Sequence, residues 1–151
     1  MASRKPEPVV VGLIFPEREK ILVIRRSVPP SVGEWALPGG YVDPSEDWRK
    51  ALQREVREEA QLHISVDPKH MRIYDVHSTP DGSKILIFAV VGPEGVKKVF
   101  KFKKNNEVSE RNFAPIHHYG APRLCFPLHQ QVVERYRGEN FDHASAHPGG
   151  W

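Results

Sequence analysis

The stretch from Asp43 to Leu62 constrains this chain most, because it reads as one helix with two unlike sides. Trp48, Ala51, Leu52 and Val56 recur at three- and four-residue steps, the spacing that gathers apolar side chains along one stripe of an α-helix. Asp43-Pro44-Ser45-Glu46 supplies a start signal: an N-cap carboxylate, a proline where its missing N–H costs nothing, and a glutamate able to reach back to the cap. The helix is therefore expected to begin at about Pro44. On or beside the flank opposite the apolar stripe, Glu55, Glu58 and Glu59 fall at i, i+3 and i+4. Like charges packed that closely repel, and the repulsion becomes favourable when a divalent cation sits among the carboxylates. Arg54, four residues before Glu58, is placed to hold that carboxylate.

Leu37-Pro38-Gly39-Gly40 precedes this segment, and its two glycines carry no side chain to keep a ligand from the backbone. From there the order is Gly40, five residues, Glu46, seven residues, Arg54-Glu55-Val56, one residue, Glu58-Glu59, one residue, Gln61-Leu62. This pattern resembles the signature box of the Nudix hydrolases at every constrained position except Gln61, where the family has glycine. That glycine ends the helix in a left-handed conformation, in which a residue with a Cβ costs roughly 1 to 2 kcal/mol. A later segment, Glu107-Val108-Ser109-Glu110-Arg111-Asn112-Phe113-Ala114-Pro115, is similar to the loop that closes the active site in many members of the family.

The resemblance implies hydrolysis of a nucleoside diphosphate linked to another moiety, by attack of water on phosphorus. It implies Mg²⁺, with Mn²⁺ as a substitute, held by Glu55, Glu58 and Glu59 together with the carbonyl of Gly39. Hard carboxylate oxygens suit either ion, which can neutralise a diphosphate and lower the pKa of bound water. Arg54 then supports the ligands, and Glu46 braces the loop through the capping box. The family takes its general base from the box or from the later loop, so Glu55, Glu58, Glu107 and Glu110 all remain candidates. Glu107 is preferred as the residue that opens the later acidic segment, against the plainer reading of a solvated charge beside Lys103 and Lys104. Nucleoside triphosphates, RNA 5′ ends and a catalytically silent nucleotide-binding module are the alternative readings.

Substrate contacts are expected from Arg26, which closes a strand facing the glycine loop, and from Trp35 or Phe113, whose rings suit stacking on a base. Each has a plainer role as an edge charge or a packing residue. Lys97, Lys98, Lys101, Lys103 and Lys104 concentrate the positive charge behind a formal net charge of +3 and a pI near 9.1. Solvation explains that cluster better than RNA binding does. The eight histidines lack any cysteine–histidine spacing, which argues against zinc.

At 151 residues, 39% of them hydrophobic and 27% charged, the chain suits one domain around one core, expected over residues 1–139 with a mobile tail at 140–151. The single cysteine, Cys125, excludes an internal disulfide framework, and no apolar run approaches the ~20 residues of a membrane span. With no cleavage-site pattern near the start, a cytoplasmic protein acting on a small nucleotide is the expectation, and a homodimer is compatible with it. Pro8 to Phe15 and Lys20 to Arg26 are expected to form a hairpin, Met71 to His77, Lys84 to Val91 and Val96 to Phe102 further strands, and Pro122 to Arg137 a second helix. The expected product is α/β, an α/β/α sandwich around a mixed β-sheet.

Overall fold

In the strands β1 (Glu7–Ile14), β2 (Lys20–Arg26) and β7 (Lys84–Val91), successive apolar side chains go to opposite destinations. Val11, Leu13, Ile21, Val23, Leu86, Phe88 and Val90 join one buried cluster, while Val10, Ile14, Leu22, Ile24, Ala89 and Val91 join another. That is the period-two signature of strands covered on both faces. The first cluster is completed by Val132, Val133 and Tyr136 of the helix α2 (Pro127–Arg137), the second by Ala51, Leu52, Val56 and Ala60 of the helix α1 (Trp48–Ala60). Each helix therefore roofs one face, and the layers run α/β/α. The computed structural model describes residues 5–117 and 121–142, with the side chain of Asp142 left aside.

The middle layer holds two sheets. One has the order β4 (Gly39–Tyr41), β1, β7, β6 (Met71–Ser78) and is mixed, because β1 and β7 are parallel while the other neighbours are antiparallel. The second is antiparallel and runs β3 (Trp35–Ala36), β2, β9 (Val108–Pro115). A short pair, β5 (Leu62–Ile64) with β8 (Val96–Val99), extends from the end of α1. Among the described residues no helix is long and apolar enough to cross a membrane.

Three expectations are corrected. The first two strands do not form a hairpin: β1 pairs with β4 and β7, and β2 with β3 and β9, because the turn at Pro16 carries the chain from one sheet to the other. The segment from Val108 to Pro115, read as a loop, is a full strand paired along β2. Within the segment expected as a tail, Asn140 and Phe141 belong instead to a wide helical turn over Gly138–Asp142, and the Phe141 ring packs 6.3 Å from those of Phe15 and Tyr136. The apolar ring anchors what the surrounding polar residues disguised. The rest of the expected tail, 143–151, lies outside the described residues.

Candidate functional site

The glycine loop is built by the ladder between β1 and β4. Gly12 donates to the Pro38 carbonyl (2.9 Å) and Val42 to the Pro8 carbonyl (3.0 Å), so Val11 and Gly39, between these bonds, form a pair without ladder hydrogen bonds. Both backbone groups of Gly39 consequently turn away from β1. Its N–H donates to Glu59 Oε1 at 2.9 Å. Neither glycine has room for a side chain: a Cβ on Gly39 would overlap the Val10 carbonyl, and one on Gly40 would fall inside the Glu55 carboxylate. Close approach of backbone to helix is what the two glycines permit.

The lead-in to α1 differs from expectation. The helix starts at Trp48, capped by Asp47, whose carboxylate accepts from the Arg49 N–H at 3.2 Å. Upstream, Ser45 is left-handed (φ 64°), and Asp43 to Glu46 form a separate turn in which Glu46 Oε1 accepts from the Asp43 N–H at 3.0 Å. The capping-box contact thus survives without a helix to cap. Arg54 explains the later start. On one continuous helix Glu46 and Arg54 would be about 12 Å apart along the axis; the fold-back brings them into a bidentate pair with both bonds at 2.9 Å. The guanidinium and the Asp43 amide hold the Glu46 carboxyl down at about 2.

The same guanidinium bonds Glu55 Oε1 at 2.6 Å and the Tyr41 carbonyl at 3.1 Å, and lies 3.7 Å from Glu58 Oε1. Arg54 therefore serves Glu46 and Glu55 before Glu58. The three box glutamates occupy unlike environments, since Glu59 is 7% exposed and the side chains of Glu55 and Glu58 are 13% and 57% exposed. Burial pushes the Glu59 carboxyl up to about 8, with the negative charges of Glu55 and Glu107 adding to it and the Gly39 N–H opposing it. Burial likewise raises Glu55. Glu55 and Glu59 face the glycine loop, whereas Glu58 stays at the surface, and no three such ligand side chains converge at metal spacing among the described residues. The donor chemistry nevertheless fits a hard divalent cation: buried carboxylates whose mutual repulsion a cation would relieve, beside Gly39, whose carbonyl is free of the ladder.

Glu107 precedes β9, its N–H bonded to Asn105 Oδ1 (3.0 Å) and its carbonyl to the Ser27 N–H (2.8 Å). Its charge bears on both Glu55 and Glu59. Glu110 does otherwise, pairing with Arg25 at 2.8 Å across the β2–β9 ladder on an exposed edge. Sequence preferred Glu107 only for its place in the segment; the geometry gives the two acids different surroundings.

Arg26 points its Nε at the Pro30 carbonyl (2.7 Å) and lies 5.1 Å over the Phe126 ring. Its donors hold the loop after β2, and its positive charge reaches Glu59. Trp35 packs on the α2-side cluster and Phe113 on the α1-side cluster, so the two rings lie on opposite faces and cannot form one stacking platform. Sequence reasoning missed His129, buried between Phe88 and Phe126, whose Nδ1 accepts from the Leu37 N–H at 3.3 Å directly before the glycine loop. Its position on the apolar stripe of α2, next to Leu128 and four residues before Val133, was the available signal.

The family model for the NUDIX domain matches residues 5–136. The ADP-ribose pyrophosphatase of Methanocaldococcus jannaschii is 31% identical over 135 residues, covering 85% of this chain and 72% of that protein. A NUDIX hydrolase from Nitrosomonas europaea superposes with a TM-score of 0.74 at 23% identity, over 92% of this chain and 74% of the other. A bifunctional NMN adenylyltransferase/ADP ribose pyrophosphatase from Francisella tularensis, solved with AMP and a Mn ion, superposes with a TM-score of 0.71 at 21% identity; the match covers 91% of this chain but 43% of that one.

Proposed function

From the premise that this chain belongs to the NUDIX family and is a Nudix hydrolase, we propose that it is a Mg²⁺-dependent pyrophosphohydrolase of nucleoside diphosphate derivatives, with ADP-ribose or a sugar nucleotide as substrate. The observation that carries this reading is the packing of two half-buried or buried carboxylates, Glu55 and Glu59, against the glycine loop, with Glu107 close enough to raise both. Support for the substrate class comes from the name of the 31% identical relative.

Glu55, Glu58 and Glu59, with the Gly39 carbonyl, would hold Mg²⁺, or Mn²⁺ in its place. The ion would neutralise the diphosphate and make water more acidic. Arg54 keeps Glu55 and Glu46 in fixed orientations through its fan of donors. Glu107 takes the proton of the attacking water. Arg26 orders the 28–30 loop beside the substrate and adds positive potential, while Trp35 supplies an apolar wall on the α2 side.

Incubation with ADP-ribose, sugar nucleotides, nucleoside triphosphates and 5′-triphosphorylated RNA, with Mg²⁺ or with excess chelator, tests the proposal by product release. Metal-dependent cleavage of a diphosphate derivative supports it. Cleavage of triphosphates alone would move the substrate class, and binding without cleavage would make the chain a nucleotide-binding module.

A further inference from the structure

Between β8 and β9 the chain runs from Phe100 to Glu107 without a strand partner, yet it has to deliver Glu107 to the carboxylates of α1. Irregular backbone held against a protein surface needs partners for its N–H and C=O groups. Here the end of α1 and Arg111 of β9 provide them. The Phe100 N–H donates to the Gln61 carbonyl (3.0 Å), and one Arg111 nitrogen donates to both the Ala60 and Phe100 carbonyls (2.9 and 2.8 Å). The tightest attachment is made by a single side chain: Gln61 Nε2 donates to the Lys103 carbonyl at 2.7 Å, and Gln61 Oε1 accepts from the Lys103 N–H at 2.8 Å.

Gln61 occupies the left-handed C-cap of α1 (φ 59°, ψ 45°), the conformation glycine adopts there at least cost. Its carboxamide pairs with both backbone groups of one residue, as a neighbouring strand would. Glycine could end the helix equally well but could not reach Lys103. Downstream of the clamp the chain has little slack: Asn105 N–H donates to the Val108 carbonyl (2.9 Å), and Asn105 Oδ1 accepts from the N–H groups of Glu107 and Val108, both at 3.0 Å. Two further bonds hold the same stretch, Asn105 Nδ2 to the Glu58 carbonyl at 3.4 Å and the Ser27 N–H to the Glu107 carbonyl at 2.8 Å, so the Gln61 clamp sets the position of Glu107 together with them.

We propose that Gln61 is a positioning residue for Glu107, holding the Lys103 backbone so that the Phe100–Glu107 segment presents the Glu107 carboxylate to Glu55 and Glu59. The proposal rests on the reading of Glu107 as the base. The bland alternative is that Gln61 merely repays, with two hydrogen bonds, the strain of a left-handed residue that has a Cβ. The two differ in what Gln61→Gly does. That change relieves strain while removing bonds, so fold and stability stay close to the parent's, but the segment loses its two side-chain bonds at Lys103.

Amide hydrogen exchange reads the anchor without reference to activity: in Gln61→Gly and in Gln61→Asn, whose amide is one methylene too short, the Lys103 N–H is expected to exchange at least ~10-fold faster. On the panel nucleotide that the parent chain cleaves fastest, both variants are expected to lose about 10-fold in kcat with KM within about a factor of two, the signature of a misplaced group that acts in the transition state. In a Glu107→Gln background the same Gln61→Gly change is expected to cost nothing further. An unchanged Lys103 exchange rate overturns the proposal. So does undiminished turnover in Gln61→Gly, or an equal loss in both backgrounds. A fully active Glu107→Gln instead removes the base assignment, and the positioning role falls with it.

Discussion

Gly39 and Glu59 are twenty residues apart in sequence and joined by a 2.9 Å hydrogen bond from the glycine amide to the carboxylate. The bond ties the glycine loop to the last turn of α1 and leaves the second carboxylate oxygen, Oε2, for other partners. In Glu59→Gln the side-chain carbonyl still accepts from Gly39, so the fold is expected to persist, with metal-free thermal stability equal or higher because an acid that burial keeps from ionising is gone. Turnover should fall by about 10²-fold or more. Glu58→Gln should also lose most of its turnover without a change in melting temperature. Near-parent rates at saturating Mg²⁺ in either variant would remove that residue from the metal shell.

Gly40→Ala separates close approach from conformational freedom. Gly40 is not in the left-handed region, so alanine's backbone preference is satisfied, but its methyl would collide with the Glu55 carboxylate. Glu55 must then swing from Arg54, and activity is expected to drop by about 10-fold or more while circular dichroism and solubility stay unchanged. Retained turnover would show that Glu55 has another productive orientation.

Glu107→Gln is expected to lower kcat by roughly 10² to 10⁴-fold with little change in KM, as loss of a general base does. Glu110→Gln is the control. It removes an exposed pair with Arg25, worth less than about 1 kcal/mol, and should leave kcat within about a factor of two. If Glu107→Gln is active and Glu55→Gln is dead, the base belongs to the helix.

His129 makes stability depend on pH. Burial, with a smaller contribution from Arg26, lowers its pKa to about 4, below the ordinary histidine value of about 6.5. Between these values the unfolded chain binds the proton and the folded chain does not. The stability from a neutral His129 is therefore complete above pH 6.5 and is lost as pH falls toward 4, by up to about 3 kcal/mol. Denaturant titrations at pH 7.5 and 4.5 should show this loss in the parent chain and a smaller one in His129→Gln. An equal loss in both would place the acid sensitivity elsewhere.

How much of this was readable in advance depended on whether the signal was local. The apolar stripe of α1 and the strand segments at residues 7–14, 20–26, 71–78 and 84–91 were visible because period and propensity are properties of neighbours. Which strand lies beside which was not visible, since the β1–β7 pairing joins residues far apart and nothing near Pro16 records that the chain changes sheet there. The helix start was misread for a related reason: Asp43-Pro44-Ser45-Glu46 has the local chemistry of a cap, but the long-range bond from Arg54 to Glu46 prevails. At the site, residue types were legible and their division of labour was not. Nothing in the sequence distinguishes Glu58 in solvent from Glu59 in the interior, and it favours Glu107 over Glu110 only by its place at the start of the acidic segment, without recording that Glu110 pairs with Arg25 on an edge.

The ladder between β1 and β4 makes the chemistry of the glycine loop a matter of parity. Gly12 to Pro38 and Val42 to Pro8 fix which residues of β4 spend their amides on β1, and Gly39 is left over. Sliding β4 by one residue would leave the sheet just as long and as well bonded, but Gly39 would become one of the bonded partners and Glu59 would face an amide already spent. A single-residue insertion or deletion between Leu37 and Gly39 could thus silence this loop without unfolding anything, an outcome invisible to any measurement of secondary structure.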